Sequence, residues 1–204
     1  DIDLVGSAVT LIGEEDEVLE EVTKVAKNTD AIKEYLKLTN VVVHPTIMFR
    51  KSILENGVEN YRNIPFAEDY DFMCRVVATG HKITNIDEPL LKYRIRETSI
   101  SREKFLAQLY NSFYLKNLYK VMLHTGKDIY DENDLYSEGK IDKGEIERFN
   151  KSEKLKREAL KLKQDGYKLK GSIKMVRCKL LSKYALKNAL CTLTYKIKFK
   201  FKEN

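Results

Sequence analysis

The chain has 204 residues, 43% hydrophobic and 33% charged, enough for one sizeable domain or a domain plus an extension under a heavily charged surface. No apolar run approaches the ~20 residues that span a bilayer, and the three scattered cysteines, Cys74, Cys178 and Cys191, form no CxxC pair, which argues against a zinc site or a disulfide framework. The net charge of +6 is uneven: residues 151–204 hold 17 Lys or Arg against 4 Asp or Glu, so that end calls for an acidic partner, either nucleic acid or an anionic membrane.

In chain order, Leu4-Val5-Gly6-Ser7-Ala8-Val9 is an apolar run with the character of a buried strand. A start this close to a strand leads us to expect a missing upstream segment. Residues 14–27 leave two options open: glutamates favour helix, while Val18, Val22 and Val25 suit a helix face or a strand. A helix is predicted from Asp30 to Leu38, capped by Asn28, Thr29 or Asp30. Val41 to Phe49 is β-branched and broken at His44-Pro45, which predicts two short extended pieces around a bend. Lys51 to Asn56 is a short helix stopped by Gly57, and a polar loop through Tyr61, Asn63 and Pro65 follows.

Ala67-Glu68-Asp69-Tyr70-Asp71 then packs three carboxylates into four residues at the head of a helix predicted over 68–79 and ended by Gly80. Acidic residues there complement the positive end of the helix dipole. A carboxylate at a helix start facing a cleft is also a good general base. Asp71, deeper in the helix, is expected to cap backbone amides. Beyond Gly80, Lys82–Ile86 and Leu90–Ile95 are two strand candidates separated by a turn at Asp87-Glu88-Pro89. Helix is predicted over 103–124 with Gly126 as the stop, and residues 127–144 have the composition of a linker. Between Ile173 and Leu193, apolar residues are spread around a helix with basic residues interleaved. From Tyr195 to Lys202, aromatic or apolar residues alternate with lysines, which predicts an edge strand or an extended segment lying on a surface, suited to anionic lipid.

Taken in order, several pieces resemble the second half of a family 2 glycosyltransferase of the GT-A fold. They are Asp3-Leu4-Val5-Gly6-Ser7, Asn40 through His44-Pro45-Thr46 to Phe49-Arg50-Lys51, Glu68-Asp69-Tyr70-Asp71, Gly80-His81-Lys82-Ile83, Pro89-Leu90-Leu91-Lys92-Tyr93-Arg94 and Ser99-Ile100-Ser101. The resemblance covers about residues 1–102. It implies a partial GT-A-like α/β domain, the acceptor-side half, over 1–102; the residue pattern beyond it reads as a mostly helical, lysine-rich extension over 103–204. The implied activity is transfer of a sugar from a nucleotide-sugar donor to a glycan or lipid-linked acceptor in cell-surface polysaccharide synthesis, with inversion at the anomeric carbon.

Such a transfer needs a base for the acceptor hydroxyl and charge stabilisation on the departing diphosphate. By the resemblance, Asp69 is the catalytic base, and Glu68 orients groups or contacts the acceptor. His44 either lines the cleft or hydrogen-bonds in the core. Arg94 and Arg96 lie near the donor diphosphate, with Arg96 standing where the family commonly places a histidine. The nucleotide-binding half and its Asp-x-Asp metal motif are expected before residue 1. A divalent metal, Mg or Mn, is therefore expected of the full-length enzyme and none is expected to be bound by this chain.

The implied location is the cytoplasm, at the inner face of the membrane if residues 173–202 meet an anionic surface. The competing reading is a non-catalytic basic module for anionic membrane or nucleic acid. Nucleic acid ranks behind, because no nucleic-acid motif or stacking platform is present.

Overall fold

A computed structural model describes residues 2–22, 25–55, 57–95 and 104–202, with residues 201 and 202 described by their backbone alone. The chain is α/β and forms two compact units, one of Asp1–Leu135 with Tyr195–Asn204 and one of Tyr136–Thr194. The boundary at 135/136 falls inside the stretch whose composition suggested a linker, although Leu135 and Ile141 there are buried.

In the first unit β1 (Leu4–Ile12) is the central strand, and its apolar run is buried as the sequence indicates. β2 (Val18–Val22) pairs antiparallel with its second half and β3 (Met48–Phe49) with Leu4 and Val5. Residues left open between helix and strand thus include a strand, turned back on β1 through Asp16 at φ 64. β4 (Ile83–Arg94) runs parallel along the whole of β1, Leu4 beside Ile83 and Ile12 beside Arg94. The two strands predicted over 82–95 are therefore one. Asp87, Glu88 and Pro89, expected to be a turn, form a register slip between Ile86 and Leu91, the kind of bulge a sheet proline tolerates.

The helices of this unit cover the sheet. α1 (Thr29–Tyr35) is capped by Asn28, whose side chain accepts from the Ala31 amide at 2.9 Å. α2 (Ser52–Glu55) is one turn. α3 (Glu68–Ala78) buries Phe72, Met73, Val76 and Val77. It ends in a Schellman motif, with His81 N donating to Val76 O and Gly80 N to Val77 O, a geometry that needs the left-handed φ of 92 at Gly80. α4 (Phe105–Thr125) packs on α3, and its Tyr119 hydroxyl donates to Lys33 O at 3.1 Å, joining it to α1.

α5 (Lys143–Gln164) and α6 (Lys168–Leu181) form a helical hairpin in the second unit. They approach closely at Gly171, where a Cβ would lie 2.8 Å from Ala159 O. Ser152 Oγ donates to Cys178 O at 2.8 Å along the same seam.

α7 (Lys183–Lys202) overturns the extended reading of Tyr195–Lys202. Tyr195 and Phe199 are four apart, hence on one helix face, and both pack on buried Tyr35 within the first unit. Docking of that i,i+4 aromatic pair outweighs the alternation. Among the described residues no helix is long and apolar enough to cross a membrane.

Candidate active site

The acidic cluster sits where a loop, a 3-10 turn and a helix start converge. The 3-10 turn His44–Thr46 carries Pro45 at its second residue, and proline suits the first helical positions. It is pinned to the sheet: Ser7 N donates to Thr46 Oγ1 at 2.9 Å, and Thr46 Oγ1 donates to Val43 O at 2.7 Å. Gly6 lies under this turn, and any Cβ there would stand 2.8 Å from Val42 Cγ1 and 2.5 Å from Asn85 Oδ1. Only glycine allows the loop to lie so close to β1.

Two contacts fix the start of α3. The Tyr70 hydroxyl donates to Leu36 O, at the end of α1. Asn111 of α4 donates to Pro65 O at 2.8 Å. Between them Phe66 is held at φ 64, a conformation that costs a bulky side chain on the order of 1 kcal/mol and persists where surrounding structure enforces it.

That scaffold brings together Asn40, His44, Tyr61, Glu68 and Asp69, all partly exposed. Asp69 Oδ1 accepts from the Tyr70 amide at 2.7 Å and Oδ2 from Asn40 Nδ2 at 3.2 Å. Since Asn40 Oδ1 is occupied by the Val42 amide at 3.1 Å, the amide end facing Asp69 is the donor. His44 Nε2 lies 3.0 Å from the Tyr61 hydroxyl. The Tyr61 ring stacks on Phe72 at 4.6 Å, so that wall of the site rests on the core.

Burial raises the Asp69 carboxyl above its usual range, and Glu68 adds to the rise, while the Tyr70 amide and the His44 imidazole oppose it. Burial likewise raises Tyr61, and the charges of Asp69 and Glu68 reinforce it. A carboxylate held above its ordinary value at a solvent-reached helix start is a stronger base than a free one.

Asp71 serves otherwise. No side chain caps α3, and Asp71 is buried against Arg75, with Arg75 Nε donating to Oδ2 at 2.7 Å and Arg62 Nη1 3.5 Å from Oδ1. The expectation that it caps amides is corrected: two residues beyond Asp69 it projects to another side of the helix, into a guanidinium pair. Arg75 also donates to Glu59 O and Asn60 O, closing the loop that carries Tyr61.

Arg94 is not part of the cluster. It pairs with Ile12, five residues along β1 from Ser7, or ~17 Å at the rise of a strand. There its guanidinium donates to Gly13 O at 2.7 Å and to Asp16 Oδ1 at 2.5 Å. Arg96 and Ser99-Ile100-Ser101 lie outside the described residues. The Asp3 carboxylate accepts from the Lys82 amide at 2.8 Å. Among the described residues no group of three or more His, Cys, Asp or Glu is placed to hold a metal ion.

Sequence reasoning missed Tyr61 and Asn40 as site members. Asn40 stands at the edge of the segment that runs to Lys51, but only the fold shows that its amide reaches Asp69.

No protein-family model matches the chain and no solved structure matches it. Two curated proteins do. The chain is similar to glycosyltransferases. It is 35% identical over 132 residues to an uncharacterized glycosyltransferase of Methanocaldococcus jannaschii, covering 64% of this chain and 45% of that protein. It is 30% identical over 124 residues to the O-antigen biosynthesis glycosyltransferase WbnJ of Escherichia coli, covering 59% of this chain and 47% of that protein. The chain thus spans about half the length of the curated relatives it matches.

Proposed function

We propose that this chain is the acceptor-side part of a family 2, GT-A-like glycosyltransferase that moves a sugar from a nucleotide-sugar donor to a glycan or lipid-linked acceptor in surface polysaccharide assembly. The observation that carries the reading is the Asp69 carboxylate: reached by solvent, seated at the head of α3, raised by burial, and ringed by Asn40, His44 and Tyr61. The similarity to two glycosyltransferases supplies the reaction class.

In this proposal Asp69 takes the proton from the acceptor hydroxyl as its oxygen bonds to the anomeric carbon, and the bond to the donor diphosphate breaks. Inversion follows if the oxygen enters opposite the leaving group. Asn40 orients the carboxylate, and Glu68 meets acceptor hydroxyls. The whole enzyme is proposed to act in the cytoplasm and to use a divalent metal, Mg or Mn; no residue described here is assigned to hold it. Arg94 is assigned to the hairpin it binds, not to the diphosphate.

The test is Asp69→Asn in the whole protein, assayed by nucleoside diphosphate release from a panel of nucleotide sugars with lipid-linked acceptors. Turnover should fall by about 10³ with the melting temperature kept. Full activity in that variant removes Asp69 from the role of base.

A further inference from the structure

α6 has two apolar faces, and one of them has no partner within its unit. The packed face is Gly171, Met175, Cys178 and the following Ser182, against α5. The other is Leu169, Ile173, Val176 and Leu180, spaced i, i+4, i+7, i+11. Each lies two residues from a packed one, hence about 200° around the helix and pointing away from α5. Exposure confirms the direction: Leu169 76%, Ile173 62%, Val176 58% and Leu180 67%. The second unit's part of α7 carries a second stripe of the same form, Leu186, Leu190 and Leu193, with Leu190 56% and Leu193 57% exposed.

Charge identifies the occupant. Between residues 166 and 194 there are seven Lys or Arg and no Asp or Glu. On α6, Lys170 and Arg177 border the stripe on one side and Lys168 and Lys179 on the other, from the 100° step of the helix. Lys183 and Lys187 border the stripe of α7. Long cationic side chains flanking an exposed apolar stripe bury their stems at a lipid interface while their heads reach phosphate. A polyphosphate partner alone gives the leucines nothing to contact, and no recognised nucleic-acid motif accompanies the lysines.

We propose that α6 and the start of α7 form an interfacial anchor that seats the protein on an anionic phospholipid surface. This assignment is independent of the transferase reading and stands whatever Asp69 does. It replaces the extended tail expected from the sequence with helical stripes that lie mainly before Tyr195.

The experiment is flotation of the full chain with vesicles of phosphatidylcholine alone and with vesicles one third phosphatidylglycerol. Binding should favour the anionic vesicles by at least about tenfold and weaken with salt, since each lysine near a charged leaflet contributes roughly a factor of five. Ile173→Glu with Leu180→Glu, both on exposed positions, should abolish flotation while the circular dichroism and melting curve stay unchanged. Lys170→Ala with Arg177→Ala should weaken it by about twenty-five-fold. Any of four results overturns the assignment: equal binding to both vesicles, no binding to either, flotation unaffected by the glutamates, or tight duplex DNA binding at physiological salt without lipid binding. A stable oligomer that the glutamates dissociate also overturns it, because the stripes then belong to a second copy.

Discussion

Asp69 and Glu145 each lie in the first turn of a helix, and their surroundings differ. Asp69 opens α3 in the first unit and Glu145 opens α5 in the second. Glu145 is buried and saturated: Ser182 Oγ donates to it at 2.6 Å, the Lys183 amide at 3.0 Å, and Arg148 through two nitrogens at 2.9 and 3.0 Å. Burial pushes its carboxyl up, but these donors outweigh that and hold it below the ordinary value. Asp69 has its own helix amide and one 3.2 Å bond from Asn40, and burial wins. The same helix-start position thus yields a tied structural anion in one case and a carboxylate with spare lone pairs in the other. Spare acceptor capacity beside solvent, rather than acidity at a helix start, marks the reactive group.

The sharpest test of this contrast is to neutralise each carboxylate in the whole protein. Asp69→Asn should lose about 10³ in turnover, roughly 4 kcal/mol of barrier, and Glu145→Gln should leave turnover unchanged. Stability should respond the other way round. Glu145→Gln exchanges charge-assisted bonds for neutral ones in a buried site and should lose about 2 kcal/mol, measured by urea unfolding. Asp69→Asn removes a carboxylate that is costly to ionise in the fold and should melt no lower than the parent at neutral pH. Equal losses of stability in the two variants would erase the distinction.

pH separates the two by sign. Glu145 has a folded pKa below its unfolded one, so its contribution is complete above the unfolded value and is lost as pH falls through the folded value. Asp69 has a folded pKa above its unfolded one, so it destabilises the fold above that raised value, and the cost disappears on acidification. Melting temperatures from pH 7 down through the carboxylate range should show the Glu145→Gln deficit closing. The acid limb of the rate profile should fall above the ordinary aspartate range in the parent. An acid limb at the ordinary value would show that burial does not govern Asp69.

Much of this site is legible in the sequence, because local rules fix it. The acidic cluster and Gly80 act within one or two turns, and α3 forms where they place it. What is not legible depends on partners distant in sequence. Tyr195 and Phe199 read as alternation until Tyr35, more than 150 residues away, selects the helix face. Asp87-Glu88-Pro89 read as a turn until pairing with β1 makes it a bulge. The fate of two carboxylates has the same origin: Glu145 is tied by Ser182, 37 residues further along the chain, whereas Asp69 has one such distant bond, from Asn40.

That one bond provides the smallest and most discriminating prediction. Asn40 is split between two tasks, accepting from the Val42 amide and donating to Asp69. Asn40→Asp keeps the acceptor and so preserves the turn that leads to His44. It replaces the donor with a second negative charge, which disfavours ionisation of Asp69 further. The acid limb of the rate profile should move upward by about one pH unit, while turnover on the alkaline plateau changes only a few-fold, because the base is the same once ionised. A structural role for Asn40 would instead lower the plateau and leave the limb in place. Asn40→Ala, which removes the donor and the Val42 acceptor together, should do both. Comparing the two variants therefore separates the tuning of Asp69 from the building of its loop.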